Sequence, residues 1–218
     1  MILSQFANQI LRKNSLRQEF KTALTQYRVT RAPVTYGLIW VVTTIFAIEV
    51  VFTALFGVRS IRVLATGSFK LHPELAWVFA PILHAGSRHF LANVGGLLVL
   101  GIPLEQHFTK RRFGSFILAT AYLSTLGGWL AQAMFTTAPI AVYGISGTVF
   151  ALAGYALVHS CRANDRLPAF EWIAMLVGLA AAVTVAYDPI TGQYLHPGWI
   201  NGGHATGMMI GLLVGVVR

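Results

Sequence analysis

The sequence predicts an all-α membrane protein: a bundle of six transmembrane helices with a structured first outer loop. Three observations predict it. Of 218 residues, 56% are apolar and 11% are charged, whereas soluble domains carry about 45–50% and about 25%. A water-soluble globule of this size could not hide so much apolar surface. Six stretches approach the roughly 20 apolar residues that cross a hydrocarbon core. Finally, the basic residues segregate by loop, as membrane orientation requires. The same composition excludes a disordered chain, which would be polar. Cys161 is the only cysteine, which excludes a disulfide framework.

The spans are read in chain order as Val34–Gly57, His89–Phe108, Ser115–Phe135, Ser146–Cys161, Ala169–Tyr187 and Gly203–Val217. Ahead of them lies a polar segment, Met1–Pro33. It has no apolar core before a small-residue cleavage site, so it is not read as a signal peptide. Leu16, Phe20, Leu24 and Tyr27 recur there at helical spacing beside Arg17, Lys21 and Arg28. That pattern predicts an amphipathic helix lying on the membrane surface. The stretch Val58–Arg88 is too apolar for an aqueous loop, with Trp77, Phe79 and Pro81, and is expected to dip into the outer interface. The chain divides into a cytoplasmic segment, 1–33, and one six-span domain, 34–218.

The formal net charge of +9 would suggest nucleic acid in a soluble protein. Here it reports orientation. With both termini inside, twelve of the sixteen Lys and Arg fall on the inner side and four outside, at Arg59, Arg62, Lys70 and Arg88. No nucleic-acid partner is expected, and the location is a cell membrane.

A polar side chain inside a span is costly and is a functional candidate by default. Ser146 lies 16 residues before Arg162, or about 24 Å above the inner boundary at about 1.5 Å per residue. The same count from Arg218 puts His204 about 21 Å up, and from Lys110 it puts Asn93 about 25 Å up, with His89 one turn higher. Three spans thus place a serine, a histidine and an asparagine in one layer below the outer surface. Gly203, Gly207, Gly211 and Gly215 repeat every four residues on the sixth span. The fourth offers a matching small face, Gly147, Ala151 and Gly154. Small faces let two helix backbones approach closely, which would bring His204 beside Ser146.

That pair has a chemistry. A serine hydroxyl becomes a nucleophile when a neighbouring base takes its proton, and imidazole titrates near neutrality. The attack creates an oxyanion that needs donors; Asn93, His89 and the Ser146 backbone N–H can supply them. Gly144 and Gly147 flank the serine and let the chain turn sharply into the span. No aspartate lies at this depth, since Asp188 is placed just beyond the fifth span, so the pair is a dyad rather than a triad. His84 and His89 lack a third metal ligand, so neither metal nor cofactor is expected. His107 and His159 are read as interfacial, and His72 and His196 as solvated. Glu49 is expected to hydrogen-bond a neighbouring helix, and Glu105 to pair with an inner-loop arginine.

Tyr143-Gly144-Ile145-Ser146-Gly147 resembles the glycine-x-serine-glycine motif of the rhomboid intramembrane serine proteases. His84, His89 and Asn93 resemble that family's histidine-x₄-histidine-x₃-asparagine pattern on the second span. Gly203-His204 with Gly207 and Gly211 resembles its glycine–histidine face on the sixth, and Gly101-x₃-Glu105 is another such feature. The resemblance implies a six-helix bundle of rhomboid type that cleaves transmembrane segments of other membrane proteins within the lipid bilayer. Ser146 would be the nucleophile and His204 the base; His89 and Asn93 would support the oxyanion, and His84 would shape the site or hold water. Two positions depart from the pattern. Leu75 and Ala76 stand where relatives often carry tryptophan and arginine, and Phe150 stands where many carry a tyrosine stacked on the histidine. The competing readings are a non-catalytic rhomboid-like protein that binds membrane clients, and a small transporter. The first typically loses the serine or the histidine; the second would show repeated halves. This chain keeps both residues and shows no repeat.

Overall fold

The computed structural model describes residues 31–57, 78–84, 86–135, 142–162, 169–191 and 201–217, with the single residues Gln18 and Lys21. The amphipathic amino-terminal segment, the loop residues 58–77 with Leu75, Ala76 and His72, and His196 lie outside the described residues. Those that are described form six helices: α1 (Pro33–Phe56), α2 (Ser87–Glu105), α3 (Lys110–Phe135), α4 (Ser146–Arg162), α5 (Ala169–Thr191) and α6 (Gly202–Val217). A short 3₁₀ turn, Ala80–Ile82, precedes α2.

All six expected spans are therefore helical, and three boundaries move by three residues or more. α2 ends at Glu105 instead of Phe108. α3 begins at Lys110, so the basic triplet Lys110, Arg111 and Arg112 forms its first turn instead of a loop. α5 runs on to Thr191, which carries Asp188 inside the helix and not beyond it. By length and apolarity alone, three helices qualify to cross a membrane: α1, α2 and α3 up to Met134. Trp172–Tyr187 within α5 and all of α6 are apolar but shorter, and a helix of the bundle can turn its surface to protein instead of lipid.

α4 shows this most clearly. Ala151 through Ala156 are all buried, so every face of its middle is covered. α6, α5, α3 and α2 surround it. On α6, Gly207 faces the Gly147 backbone and Gly211 faces the Ala151 carbonyl; from α4, Gly154 approaches the Met208 carbonyl. A Cβ on any of these would collide with backbone, which cannot move aside as a side chain can. Gly203 packs on both neighbours: its carbonyl would lie 3.2 Å from a Cβ on Gly147 of α4, and its own Cβ direction faces the Ser124 carbonyl and Gly128 of α3. Gly202 likewise meets Gly127. The glycine face of α6 therefore packs on two helices, and at its upper end α3 and α4 share it.

α2 is not a uniform helix. Residues Leu97–Gly101 form a π turn, with the Ile102 N–H donating to the Leu97 carbonyl five residues back. Pro103 explains it, since proline lacks a donor and its ring would clash with the carbonyl of the previous turn. The extra residue rotates the lower helix by about 100° relative to the upper. Asn93 and Glu105 can then serve different neighbours.

Glu105 is buried at the lower end, where its partners among the described residues are not the expected arginine but the head of α1. Its carboxylate accepts the Val34 N–H at 2.9 Å and both the N–H and the hydroxyl of Thr35 at 2.8 Å. Those are the first free donors of α1, because Pro33 has none and Ala32 supplies no side-chain cap. A carboxylate from another helix thus caps α1 and complements its dipole. Gly101 leaves room for Thr35, whose methyl would lie 2.8 Å from a Cβ there. The rest of α1 is peripheral. Its buried residues, Thr35, Val42 and Glu49, fall seven apart on a single stripe, while Trp40, Val41, Ile48 and Leu55 are exposed, as a lipid-facing surface requires.

Replacing Glu105 by alanine strands two backbone donors and a hydroxyl, at about 1–3 kcal/mol for each left unsatisfied. The midpoint of thermal unfolding in detergent should fall by about 10 °C for Glu105→Ala, and by clearly less for Glu105→Gln, which keeps one acceptor oxygen. Equal loss in both would mean that charge, not capping, is what α1 requires.

Candidate active site

Ser146 is the first residue of α4, reached by a turn that only glycine makes comfortably. Gly144 has φ +105°, in the region L side chains avoid. A Cβ there would also strike the His89 ring, so the glycine serves the turn and the close approach together. The Gly144 N–H donates to the Ala80 carbonyl at 2.7 Å, which ties the turn to the segment before α2. Ile145 is buried beneath it. Ser146 itself is only partly buried, so its hydroxyl can be reached. Its N–H lies in the first turn, where intrahelical acceptors are missing.

His204 sits in the first turn of α6. Asn201 is the cap residue: its side-chain oxygen accepts the His204 N–H at 3.2 Å and its carbonyl accepts the Ala205 N–H at 3.0 Å. His204 Nε2 lies 3.1 Å from Ser146 Oγ, within hydrogen-bond distance, although 58 residues separate them. The Phe150 ring stacks on the imidazole, with centroids 4.1 Å apart and planes 12° from parallel. Phe150 is one turn below Ser146, so a single face of α4 presents both the hydroxyl and the ring that holds its partner flat.

The second-span residues gather on the other side of the turn. His89 lies against Gly144, with its ring 6.4 Å from that of Tyr143 and 5.4 Å from that of His84. Asn93, one turn further, is buried, and its Nδ2 has no hydrogen-bond partner among the described residues. The same holds for both ring nitrogens of His84. An unpaired buried donor costs about 1–3 kcal/mol, so it persists where something else repays it. His84 is enclosed edge-on by Phe46 of α1 and Phe90 of α2. Among the described residues no group of three or more His, Cys, Asp or Glu could hold a metal ion.

Sequence reasoning missed four contributors. Asn201 was legible as an asparagine three residues before a histidine that opens a helix. Ser124 beside Gly147, and the Gly127–Gly128 pair, had a weaker signal in their small-residue pattern on the third span. The Ala80 carbonyl had none, since a backbone atom leaves no trace in residue type. At the opposite end of the bundle, His107 and His159 pair with ring centroids 4.4 Å apart, His107 being exposed.

The fold and site together define a multi-pass membrane protein with a serine–histidine pair set near one end of its helix bundle. A family model described as the Rhomboid domain matches residues 73–218, and the chain belongs to the rhomboid family. It is similar to RHOMBOID-like protein 1 of Arabidopsis thaliana, at 32% identity over 67% of this chain and 36% of the relative. To Rhomboid-related protein 2 of Mus musculus it is 36% identical, over 48% of this chain and 34% of the relative. To Rhomboid protease GlpG of Serratia proteamaculans it is 30% identical, over 63% of this chain and 46% of the relative. The matched region thus spans between about a third and about half of the length of these relatives.

The serine–histidine contact depends on the seam below it. A valine at position 207 would meet the Gly147 backbone one turn under His204, whereas Met209 is exposed. Overpacking of this kind costs typically 1–3 kcal/mol, and a shift of about 1 Å between reacting groups costs about 10² in rate. Labelling of Ser146 by a fluorophosphonate should fall by about 10²-fold in Gly207→Val and by less than about twofold in Met209→Val. Equal labelling of the two would show that the seam does not set the pair.

Proposed function

We propose that this protein is an intramembrane serine endopeptidase that cleaves transmembrane segments of other membrane proteins near their outer ends. It would act in a cell membrane with both termini cytoplasmic. On this reading 34–218 is the catalytic domain and 1–33 a cytoplasmic segment. The observation that carries it is the 3.1 Å separation of Ser146 Oγ and His204 Nε2 under a stacked ring. Membership of the rhomboid family supports it, as do relatives named as rhomboid proteases.

Ser146 donates its hydroxyl proton to His204 Nε2 as its oxygen attacks the scissile carbonyl. The oxyanion that forms takes hydrogen bonds from His89, from Asn93 Nδ2 and from the Ser146 N–H. His204 then returns the proton to the leaving amine. Water, deprotonated by His204, hydrolyses the acyl-enzyme and regenerates the serine. A carboxylate is not needed to aim the imidazole: Asn201 holds its backbone and Phe150 holds its plane. Cleavage near the outer end of the substrate follows from the depth of the site, where water is nearest and where a helix end is most easily unwound.

The test is incubation of purified protein with a single-span substrate, with the cut mapped by mass spectrometry. Wild-type protein should cut in the outer third of the span. Ser146→Ala and His204→Ala should each lose at least about 10³-fold in rate while unfolding at nearly the wild-type temperature. Cleavage by Ser146→Ala at the wild-type rate, or a wild-type serine that no fluorophosphonate labels, would favour a protein that binds membrane clients without cutting them.

Asn93→Ala removes one oxyanion donor, a loss of about 10²–10³ in turnover in a soluble serine protease. Here kcat should fall by about 10-fold or more with KM nearly constant, since His89 and the backbone remain. A raised KM at unchanged kcat would make Asn93 a substrate-binding residue.

A further inference from the structure

Glu49 lies on α1, outside the proposed machinery, and is 94% buried in a helix that otherwise exposes most of its surface to lipid. An acidic side chain in such a place is expensive and calls for a reason. Its carboxylate accepts the backbone N–H of His84, at 3.0 Å to one oxygen and 3.3 Å to the other. His84 ends the short segment that the Ala80–Ile82 turn begins. That segment has little slack. The Leu83 N–H closes back on the Phe79 carbonyl at 3.1 Å, Pro81 is buried with its φ fixed by the ring, and Ala80 is fully buried.

The other end of the segment holds the serine turn. The Ala80 carbonyl accepts the Gly144 N–H at 2.7 Å, and Gly144 stands two residues before Ser146 with its Cα against His89. A short path therefore runs from α1 to the reacting atoms: the Glu49 carboxylate, the His84 amide, a single rigid turn, the Ala80 carbonyl, the Gly144 amide and the head of α4. Phe46, one turn before Glu49, stacks on Phe90 of α2 at 4.2 Å with the planes 6° apart, which seats α1 at this level. A single backbone N–H could be satisfied by a hydroxyl or an amide. What the longer glutamate supplies is reach from a peripheral helix to the segment that sets the serine turn.

We propose that Glu49 is a positioning residue: it tethers the 80–84 segment to α1 and so fixes Gly144, and with it Ser146, against His89. The proposal rests on the reading of Ser146 as the nucleophile but makes a claim about the tether that can be tested without turnover. Three variants separate reach from the carboxyl group itself. Glu49→Gln keeps the length and one acceptor oxygen. Glu49→Asp keeps the carboxyl group but is one methylene too short. Glu49→Leu keeps the bulk alone.

The first arm is residue-resolved amide hydrogen exchange in detergent. The amides of His84 and Gly144 should exchange at least about 10-fold faster than wild type in Glu49→Asp and Glu49→Leu, and within about threefold in Glu49→Gln, while Leu212 in α6 stays unchanged in all three. The second arm counts reactive serines by fluorophosphonate titration and measures kcat per titrated site. It should fall by at least about 10-fold in Glu49→Asp and Glu49→Leu with KM within about twofold, and glutamine should rescue it. A residue that only stabilised the fold would reduce the number of sites and leave each at the wild-type rate. If Glu49→Leu does not fold, the contrast between Asp and Gln decides. Wild-type exchange at Gly144 in Glu49→Asp overturns the proposal, as does an active Asp variant beside an inactive Gln variant. Should wild-type protein prove inert towards every substrate and probe, the protease reading fails and the exchange arm still judges the tether.

Discussion

The approach of the α4 and α6 backbones is the constraint on which the rest of the molecule depends. Gly207 meets the Gly147 backbone and Gly211 meets the Ala151 carbonyl, contacts that admit no side chain at those positions. In lipid no hydrophobic force drives two helices together, so close packing of small residues must supply the attraction. It also removes play. Two helices with their backbones in contact can neither slide nor roll without collision. A serine at the head of one and a histidine in the first turn of the other therefore keep one separation. A pair held by long side chains alone would sample many.

Around that seam the other helices have distinct tasks. α3 completes it from the side, with Gly127 and Gly128 against Gly202 and Gly203, so the head of α6 is gripped by two neighbours. α2 carries His89 and Asn93 to the serine turn and then, past its π turn, aims Glu105 at the head of α1. α1 is fastened at two levels along one stripe, by Glu105 at Thr35 and by Glu49 at His84. Both fastenings are carboxylates accepting backbone N–H groups. Such bonds are demanding in a medium where an unpaired polar group has no water to turn to.

The site sits at helix ends for a related reason. Helix interiors in a membrane consume their own donors, whereas the first turn leaves N–H groups free. Placing Ser146 at the first position of α4 puts its hydroxyl, its first-turn amide and the positive end of the helix dipole at one point. The same placement makes the serine sensitive to the turn before it. Gly144 is consequently fixed three times, by its own φ, by the His89 ring and by the Ala80 carbonyl.

The class of fold and the six helical spans were legible in the sequence alone. Composition and span length act locally, residue by residue, and an apolar run of about 20 residues satisfies its own backbone as a helix. The candidate pair was legible as well, because a four-residue glycine period declares which face of a helix is smooth, and Ser146 and His204 stand at matching heights on two such faces. Glu105 shows where that logic stops: its charge suggested an arginine, yet the carboxylate caps α1, seventy residues away in sequence. Gly203 meets α4 as its period suggests but also α3, since a periodicity marks a face without naming every neighbour. The π turn, the Ala80 carbonyl and the partner of Glu49 were decided only in the tertiary structure. Each depends on a backbone atom meeting a residue far along the chain, and backbone atoms are the same in every sequence.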